Sequence, residues 1–101
     1  MRYGIKEESL RAIIGVFVNY REVQQAILYG SRAKGNYRNG SDIDLLLVGE
    51  AIDLTLLFKI ENELEDLMLP YKIDLNVKHH LHNPDILEHI ERLGQLLYQQ
   101  A

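Results

Sequence analysis

A polar segment at residues 30–41, GSRAKGNYRNGS, restricts the possible folds more than any other part of the sequence. It has three glycines and almost nothing to bury. It is flanked by two short apolar segments, residues 23–29 (VQQAILY) and residues 42–48 (DIDLLLV). Polar connections of this length are uncommon inside compact domains and tend to carry function. The pattern therefore predicts two strands that hold a functional loop between them.

The remaining segments complete the predicted fold. Apolar residues recur with a helical period over residues 7–20, and a second helix follows an N-cap at Asp53. Residues 71–77 alternate between apolar and polar, as a half-exposed strand does. Asn83, followed by proline, begins a last helix that runs to about Gln99. We predict an α/β (α+β) fold: a small mixed sheet of three or four strands with helices packed on one face, in the order α-β-loop-β-α-β-α.

Length and composition exclude several classes of protein. With 101 residues and 11.7 kDa, the chain has room for one domain, residues 1–101. It has no long apolar segment and no signal-like N-terminus, so we expect a cytoplasmic protein without a membrane partner. The absence of cysteine excludes disulfides, thiolate zinc sites and cysteine nucleophiles. A net charge of −4 disfavours nucleic acid as a direct partner.

Three carboxylates have the spacing of a metal site. Asp42 and Asp44 lie two residues apart on a predicted strand, so both side chains leave the same face. Asp74 lies on the polar face of another strand. If the two strands are neighbours, the three carboxylates converge, and their mutual repulsion requires cations or raised pKa values. Mg²⁺ prefers such oxygen ligands, and two ions would align a hydroxyl and a leaving group at phosphorus.

Each of these carboxylates also has a simpler interpretation when it is taken alone. Asp42 follows the turn sequence Asn39-Gly40-Ser41, where aspartate is common because it hydrogen-bonds its own backbone. Asp74 alone fits an exposed position on a strand. The metal-site hypothesis therefore depends on the residues that accompany the trio.

The accompanying residues fit a phosphate site. Gly30 and Ser31 directly follow the first predicted strand, and a glycine turn with a hydroxyl suits phosphate oxygens. Ser31 could also simply cap a short helix from Arg32 to Lys34, and both roles can hold at once. Arg32, Lys34 and Arg38 place three cations beside this turn, either to offset triphosphate charge or as a solvated loop. The segment does not match a P-loop.

Together these residues resemble a known signature. Gly30-Ser31, ten intervening positions and then Asp42-Ile43-Asp44 are similar to the G-S-x(10)-D-x-D motif of the minimal nucleotidyltransferases. These belong to the DNA polymerase β-like nucleotidyltransferase superfamily. The string GSRAKG resembles the usual opening of the motif, and Asp74 resembles its third acidic residue.

The resemblance implies a set of roles. Asp42 and Asp44 would ligate two Mg²⁺ ions, and Asp74 would complete the second metal site and help to activate the attacking hydroxyl. Gly30 and Ser31 would hold the β- and γ-phosphates of ATP. The implied reaction transfers AMP to a hydroxyl and releases pyrophosphate.

The resemblance also implies a partner. Minimal nucleotidyltransferases are commonly encoded beside a HEPN-domain toxin, and some transfer AMP to a tyrosine of that toxin. We therefore expect an antitoxin that modifies such a partner, as a homo- or hetero-oligomer. One alternative is a non-catalytic, nucleotide-binding antitoxin that neutralises its partner by binding. Transfer to a small molecule or an RNA end is disfavoured by the absence of an acceptor domain and by the negative net charge.

The four histidines are not assigned to a metal site. They have no helical H-x3-H spacing, and no cysteine is present to assist them. A polar loop explains three of them, at positions 79, 80 and 82, and His89 is left without a role. Tyr29 and Tyr71 are interpreted as packing residues of strands, whereas Tyr37 in the glycine loop could stack on a base.

Overall fold

A computed structural model describes residues 1–101. Four helices, four strands and one 3-10 turn follow one another along the chain. In chain order they are α1 (Glu7–Val18), β1 (Gln25–Tyr29), α2 (Ser31–Lys34), β2 (Ile43–Val48), α3 (Leu54–Asp66), β3 (Ile73–Val77), the 3-10 turn (Lys78–His80), α4 (Pro84–Leu93) and β4 (Gln95–Gln99).

The strands form one mixed sheet in the order β3-β2-β1-β4. Strand β1 pairs antiparallel with both β2 and β4, whereas β2 and β3 run parallel. A parallel pair needs a crossover connection, and α3 supplies it between β2 and β3. The predicted fold class, a small mixed α/β sheet with helices, is confirmed.

The main core lies on one face of the sheet, under α1 and α3. Helix α1 buries Leu10, Ile13 and Phe17 completely, because these positions share one side of a helix. The strands contribute every second residue to this core, as the alternation of a pleated sheet requires. These inward residues of β1, β2 and β3 are Ala26, Leu28, Ile43, Leu45, Leu47, Leu75 and Val77.

The predicted helix caps are confirmed. The Asp53 side chain accepts a hydrogen bond of 2.8 Å from the Leu56 amide at the start of α3. Asn83 accepts hydrogen bonds from the amides of Asp85 and Ile86, and Pro84 opens α4. Both side chains thus satisfy amide groups that have no partner inside the helix.

The prediction that the last helix continues to about Gln99 is wrong. Helix α4 ends at Leu93, and Gln95–Gln99 form the edge strand β4. The chain passes from helix to strand at Gly94, where a Cβ would overlap the Ile90 carbonyl and clash with the Ile27 side chain. The apolar residues after this glycine follow the sheet instead, with Leu97 buried and Leu96 about half exposed.

The prediction that helices cover only one face is also wrong. Helix α4 packs on the opposite face, where Ile90 forms a second apolar cluster with Tyr29 and Leu46. Tyr29 and Leu46 point to this face because they alternate with core residues of β1 and β2. Helix α4 therefore lies on the face that Asp44 shares with Leu46. None of the helices is long and apolar enough to cross a membrane.

Candidate active site

Two of the three predicted carboxylates are direct neighbours across a strand pair. The register of β2 and β3 sets Asp44 opposite Asp74, and strands in a sheet lie about 4.8 Å apart. Both side chains leave the face that carries α4, because their sequence neighbours Ile43, Leu45 and Leu75 lie in the main core. Neighbouring strands thus bring these two carboxylates to one place.

The electrostatics of Asp44 reflect this crowding. Burial raises the pKa of the Asp44 carboxyl, and the charges of Asp74 and then of Asp42 raise it further. Arg32 and His89 oppose this effect and lower the pKa. Asp42, just before β2, therefore lies close enough to act on the same group. The arrangement is a site of excess negative charge that would favour a cation.

The turn at Gly30 lies against these carboxylates. Gly30 has φ of +77° and ψ of −155°, a conformation almost restricted to glycine. A Cβ at this position would overlap the Asp44 carboxylate. Tyr29, just before the turn, pairs with Asp44 across the strands. Glycine is therefore required here both for the backbone conformation and for the close approach to Asp44.

The residues just after the turn form the short helix α2. Gly30 occupies the N-cap position, and no side chain caps the helix. The alternative in which Ser31 serves as the cap is therefore wrong, and its partly exposed hydroxyl lies at the first helical position. Lys34 and Arg38 are exposed, and neither takes part in an ion pair. The Lys34 and Arg38 side chains are therefore open to solvent.

Arg32 corrects the sequence prediction. Its side chain is buried, with 3% of its surface exposed, and its guanidinium donates to the Ser41 carbonyl at 2.8 and 3.2 Å and to the Tyr3 carbonyl at 3.0 Å. It also stacks against the rings of Tyr37 and Tyr71, each 5.3 Å from the guanidinium carbon. The prediction that Arg32 contacts the nucleotide is replaced by a structural role, because its donors are directed at the backbone. Arg32 fixes Ser41, the residue directly before Asp42.

The sequence did not predict a role at this site for three residues, which are His89, Asn76 and Tyr29. The Gly30 amide donates a hydrogen bond of 3.1 Å to Nε2 of His89, which α4 places over the turn. The Asn76 amide donates a hydrogen bond of 2.8 Å to the Tyr29 hydroxyl. Burial raises the pKa of Tyr29, the Asn76 hydrogen bond opposes the rise, and Asp44 and Asp74 add to it. Asn76 could have been found by its spacing, since it lies two residues after Asp74 and on the same face.

Comparison with protein families identifies the fold and its chemistry. Residues 11–101 match the family described as polymerase beta, nucleotidyltransferase. The chain belongs to this nucleotidyltransferase family. This match confirms the resemblance to the polymerase β-like nucleotidyltransferases that the sequence motif predicted. It also confirms the prediction that the chain is a nucleotidyltransferase.

Two sequence relatives of this nucleotidyltransferase come from Methanocaldococcus jannaschii, and both carry the name protein adenylyltransferase. One is 36% identical over 86 residues, which cover 84% of this chain and 87% of the relative. The other is 39% identical over 71 residues, which cover 69% of this chain and 71% of the relative.

Solved structures share the fold of this nucleotidyltransferase. A toxin-antitoxin structure with AMP-PNP aligns with a TM-score of 0.69 and 18% identity, over 95% of this chain and 75% of the other. A complex of a tri-AMPylated Shewanella oneidensis HEPN toxin with an MNT antitoxin gives 0.67 and 16%, over 95% and 74%. A structure described as a minimal nucleotidyltransferase gives 0.66 and 23%, over 94% and 95%.

The carboxylate site of this nucleotidyltransferase fits the divalent metal that its family implies. All donors are hard carboxylate oxygens. Burial first, and then the charges of Asp74 and Asp42, raise the pKa of Asp44, and a bound cation would favour its charged form. No three or more His, Cys, Asp and Glu side chains are grouped so that they alone could hold a metal ion. Mg²⁺ commonly uses one or two carboxylates together with substrate phosphates and water, so a nucleotide would supply the remaining ligands.

Proposed function

We propose that this nucleotidyltransferase transfers AMP from ATP to a tyrosine hydroxyl of a HEPN-domain toxin and so acts as an antitoxin. The observation that carries the proposal is the placement of Asp44 beside Asp74, with Asp42 near them and Gly30 in contact with Asp44. This combination supplies carboxylates for a metal and a glycine turn for phosphate within one surface.

The nucleotide would be held at the turn and by the adjacent cations. Gly30 lets a phosphate approach the backbone closely, and Ser31 follows it at the first position of α2 and would donate its hydroxyl to a phosphate oxygen. Lys34 offers an exposed cation to the β- and γ-phosphates. Asp42, Asp44 and Asp74 would hold two Mg²⁺ ions, which supply charge neutralisation for phosphoryl transfer when bound.

The transfer step is an in-line displacement at the α-phosphorus of ATP. The tyrosine oxygen forms a bond to this phosphorus, while the bond from phosphorus to the bridging β-phosphate oxygen breaks and pyrophosphate leaves with its electron pair. The hydroxyl proton passes to a carboxylate of the site, for which we propose Asp74. Asp74 is suited to this role because it lies on the edge strand β3 and its residue is exposed.

The relatives support the choice of nucleotide and of acceptor. Both sequence relatives are named protein adenylyltransferase, which points to ATP and to a protein acceptor. One solved neighbour contains AMP-PNP, and another is an MNT antitoxin bound to an AMPylated HEPN toxin. These similarities favour a HEPN toxin over a small molecule.

A mass measurement on the partner tests the proposal. A purified HEPN-domain partner is incubated with the protein, ATP and Mg²⁺, and intact mass spectrometry should show the addition of AMP. Addition of EDTA or the substitution Asp44→Asn should abolish it. Asp66→Asn, which changes an exposed carboxylate at the end of α3, is the matched control and should leave the transfer unchanged.

The same experiment separates catalysis from simple binding. If the toxin stays unmodified with the wild-type protein, yet its activity is still blocked, the protein neutralises its partner by binding alone. In that case Asp44→Asn should block the toxin as well as the wild type does, and the proposed transfer is wrong.

A further inference from the structure

One side-chain hydrogen bond connects helix α4 to the glycine turn. The Gly30 amide donates to Nε2 of His89 at 3.1 Å, across 59 positions of sequence and in a partly buried environment. Because Nε2 accepts, the proton of the neutral ring lies on Nδ1. His89 is partly buried and directly precedes Ile90, whose packing in the second apolar cluster fixes this part of α4 on the sheet.

The bond acts at the point where a change in backbone conformation would alter the turn most. Gly30 combines a positive φ with contact to the Asp44 carboxylate, so a rotation of its amide would move Ser31 relative to that carboxylate. The local alternative, a side-chain cap on α2, is absent. His89 therefore supplies from a distant helix the restraint that the turn itself lacks.

We infer that His89 is a positioning residue of this nucleotidyltransferase: by accepting the Gly30 amide, it holds the Gly30–Ser31 turn in the shape that receives the triphosphate. The inference rests on the proposed nucleotide site at this turn. It assigns α4 a function in nucleotide binding besides its packing on the sheet. The family motif contains no residue of this helix.

Three variants separate the hydrogen bond from other effects of the side chain. His89→Leu removes the acceptor but keeps the bulk and helix propensity. His89→Gln keeps an acceptor, an amide oxygen near the place of Nε2, but cannot carry a positive charge. His82→Leu removes an exposed histidine of the loop before α4 and serves as the matched control.

Titration of each variant with ATP and Mg²⁺, together with steady-state kinetics, gives the main readout. His89→Leu should raise the ATP dissociation constant and the KM for ATP by roughly three- to tenfold, the effect of one hydrogen bond. The kcat should fall by less than about threefold, because the lost interaction acts on binding. His89→Gln should stay within about twofold of the wild type, as should His82→Leu.

A second measurement uses the ligand-free protein and does not depend on activity. In ¹⁵N NMR spectra, His89 should be the neutral tautomer with its proton on Nδ1, and the Gly30 amide should exchange with solvent about threefold to tenfold faster in His89→Leu than in the wild type. If the wild type transfers no AMP, the proposed function fails while this measurement still decides the role of His89.

Two results would overturn the inference. One is an ATP affinity and Gly30 exchange rate in His89→Leu equal to those of the wild type. The other is an equal loss in His89→Gln and His89→Leu, because the loss would then follow the imidazole, through its charge near Asp44, and not the accepted hydrogen bond.

Discussion

Gly30 combines an unusual backbone conformation with a close contact to a carboxylate of the candidate site. Its φ of +77° excludes most side chains, and the Asp44 carboxylate occupies the place of a Cβ. Gly30→Ala should therefore lower the free energy of unfolding by about 1–3 kcal/mol and distort the turn that we propose as the phosphate site. Urea unfolding and ATP titration measure the two effects.

Two other glycines serve as controls for Gly30→Ala. Gly35 also has a positive φ, +95°, but a Cβ there meets nothing, so Gly35→Ala should cost only about 1 kcal/mol of backbone strain. Gly15 lies in the exposed face of α1 with open space around it, and Gly15→Ala should stabilise the protein by about 0.5–1 kcal/mol. A loss in Gly30→Ala no larger than that in Gly35→Ala would contradict the contact with Asp44.

Arg32 carries a second prediction at the scale of the residue. Arg32→Lys should lower the free energy of unfolding by about 2–4 kcal/mol, because one ammonium cannot replace a buried guanidinium that bonds two backbone carbonyls and stacks between two rings. Arg38→Lys, at an exposed position of the same loop, should change it by less than about 0.5 kcal/mol. Equal stability of the two variants in urea unfolding would refute the structural role of Arg32.

The raised pKa of Asp44 predicts how stability depends on pH. Because the folded state holds the proton more tightly than the unfolded state, the charged carboxylate destabilises the fold at neutral pH. This penalty decreases as the pH falls through the folded pKa, and it is absent below the ordinary value of 3.8. Without divalent ions, Asp44→Asn should therefore raise the Tm at pH 7.

A thermal series from pH 7 to pH 3 tests this dependence. The Tm difference between Asp44→Asn and the wild type should stay constant until the pH nears the folded pKa of Asp44 and should then shrink toward pH 3. Addition of Mg²⁺ at pH 7 should also reduce it, because the cation stabilises only the carboxylate. A difference that is independent of pH would show that the substitution acts through packing.

At the scale of the element, the sequence predicted those helices and strands that are determined by interactions between residues close in the chain. The caps at Asp53 and Asn83 and the alternation of β3 followed from neighbouring residues, and the structure confirms them. Strand β4 could not be predicted in this way. Its leucines continue the helical spacing of α4, and only pairing with β1, more than 60 positions away, makes them a strand.

The N-cap of helix α4 allows a test of how much one cap stabilises this element. Asn83→Ala removes the acceptor for the amides of Asp85 and Ile86 and should lower the free energy of unfolding by about 1 kcal/mol. Amide exchange should accelerate mainly in the first turn of α4, as measured by hydrogen–deuterium exchange. Asn62→Ala, at an exposed position within α3, is the control and should leave α4 unchanged. Uniform acceleration across the chain would mean that α4 does not open separately from the sheet.

At the scale of the whole molecule, the pairing of strands in the sheet determines which site residues are neighbours. The spacing of Asp42 and Asp44 predicted a shared face, but the neighbourhood of Asp44 and Asp74 depends on the parallel register of β2 and β3. The place of His89 depends on which face α4 covers, and the sequence prediction of that face was wrong. Sequence periodicity thus could not predict which residues tertiary pairing brings together. The motif, by contrast, could be recognised from the sequence alone.

The site also couples ligand binding to the stability of the entire domain. Its parts come from β1, β2, β3 and α4, so a nucleotide that binds them binds only the folded chain. With Mg²⁺ and ATP at ten times the dissociation constant, the free energy of unfolding should rise by about 1.4 kcal/mol and the Tm by about 6–11 °C. ATP with EDTA should give a much smaller shift, and Asp44→Asn should give a shift that no longer depends on Mg²⁺. A full, Mg²⁺-dependent shift in this variant would show that Asp44 is not needed to link the metal-bound nucleotide to the fold.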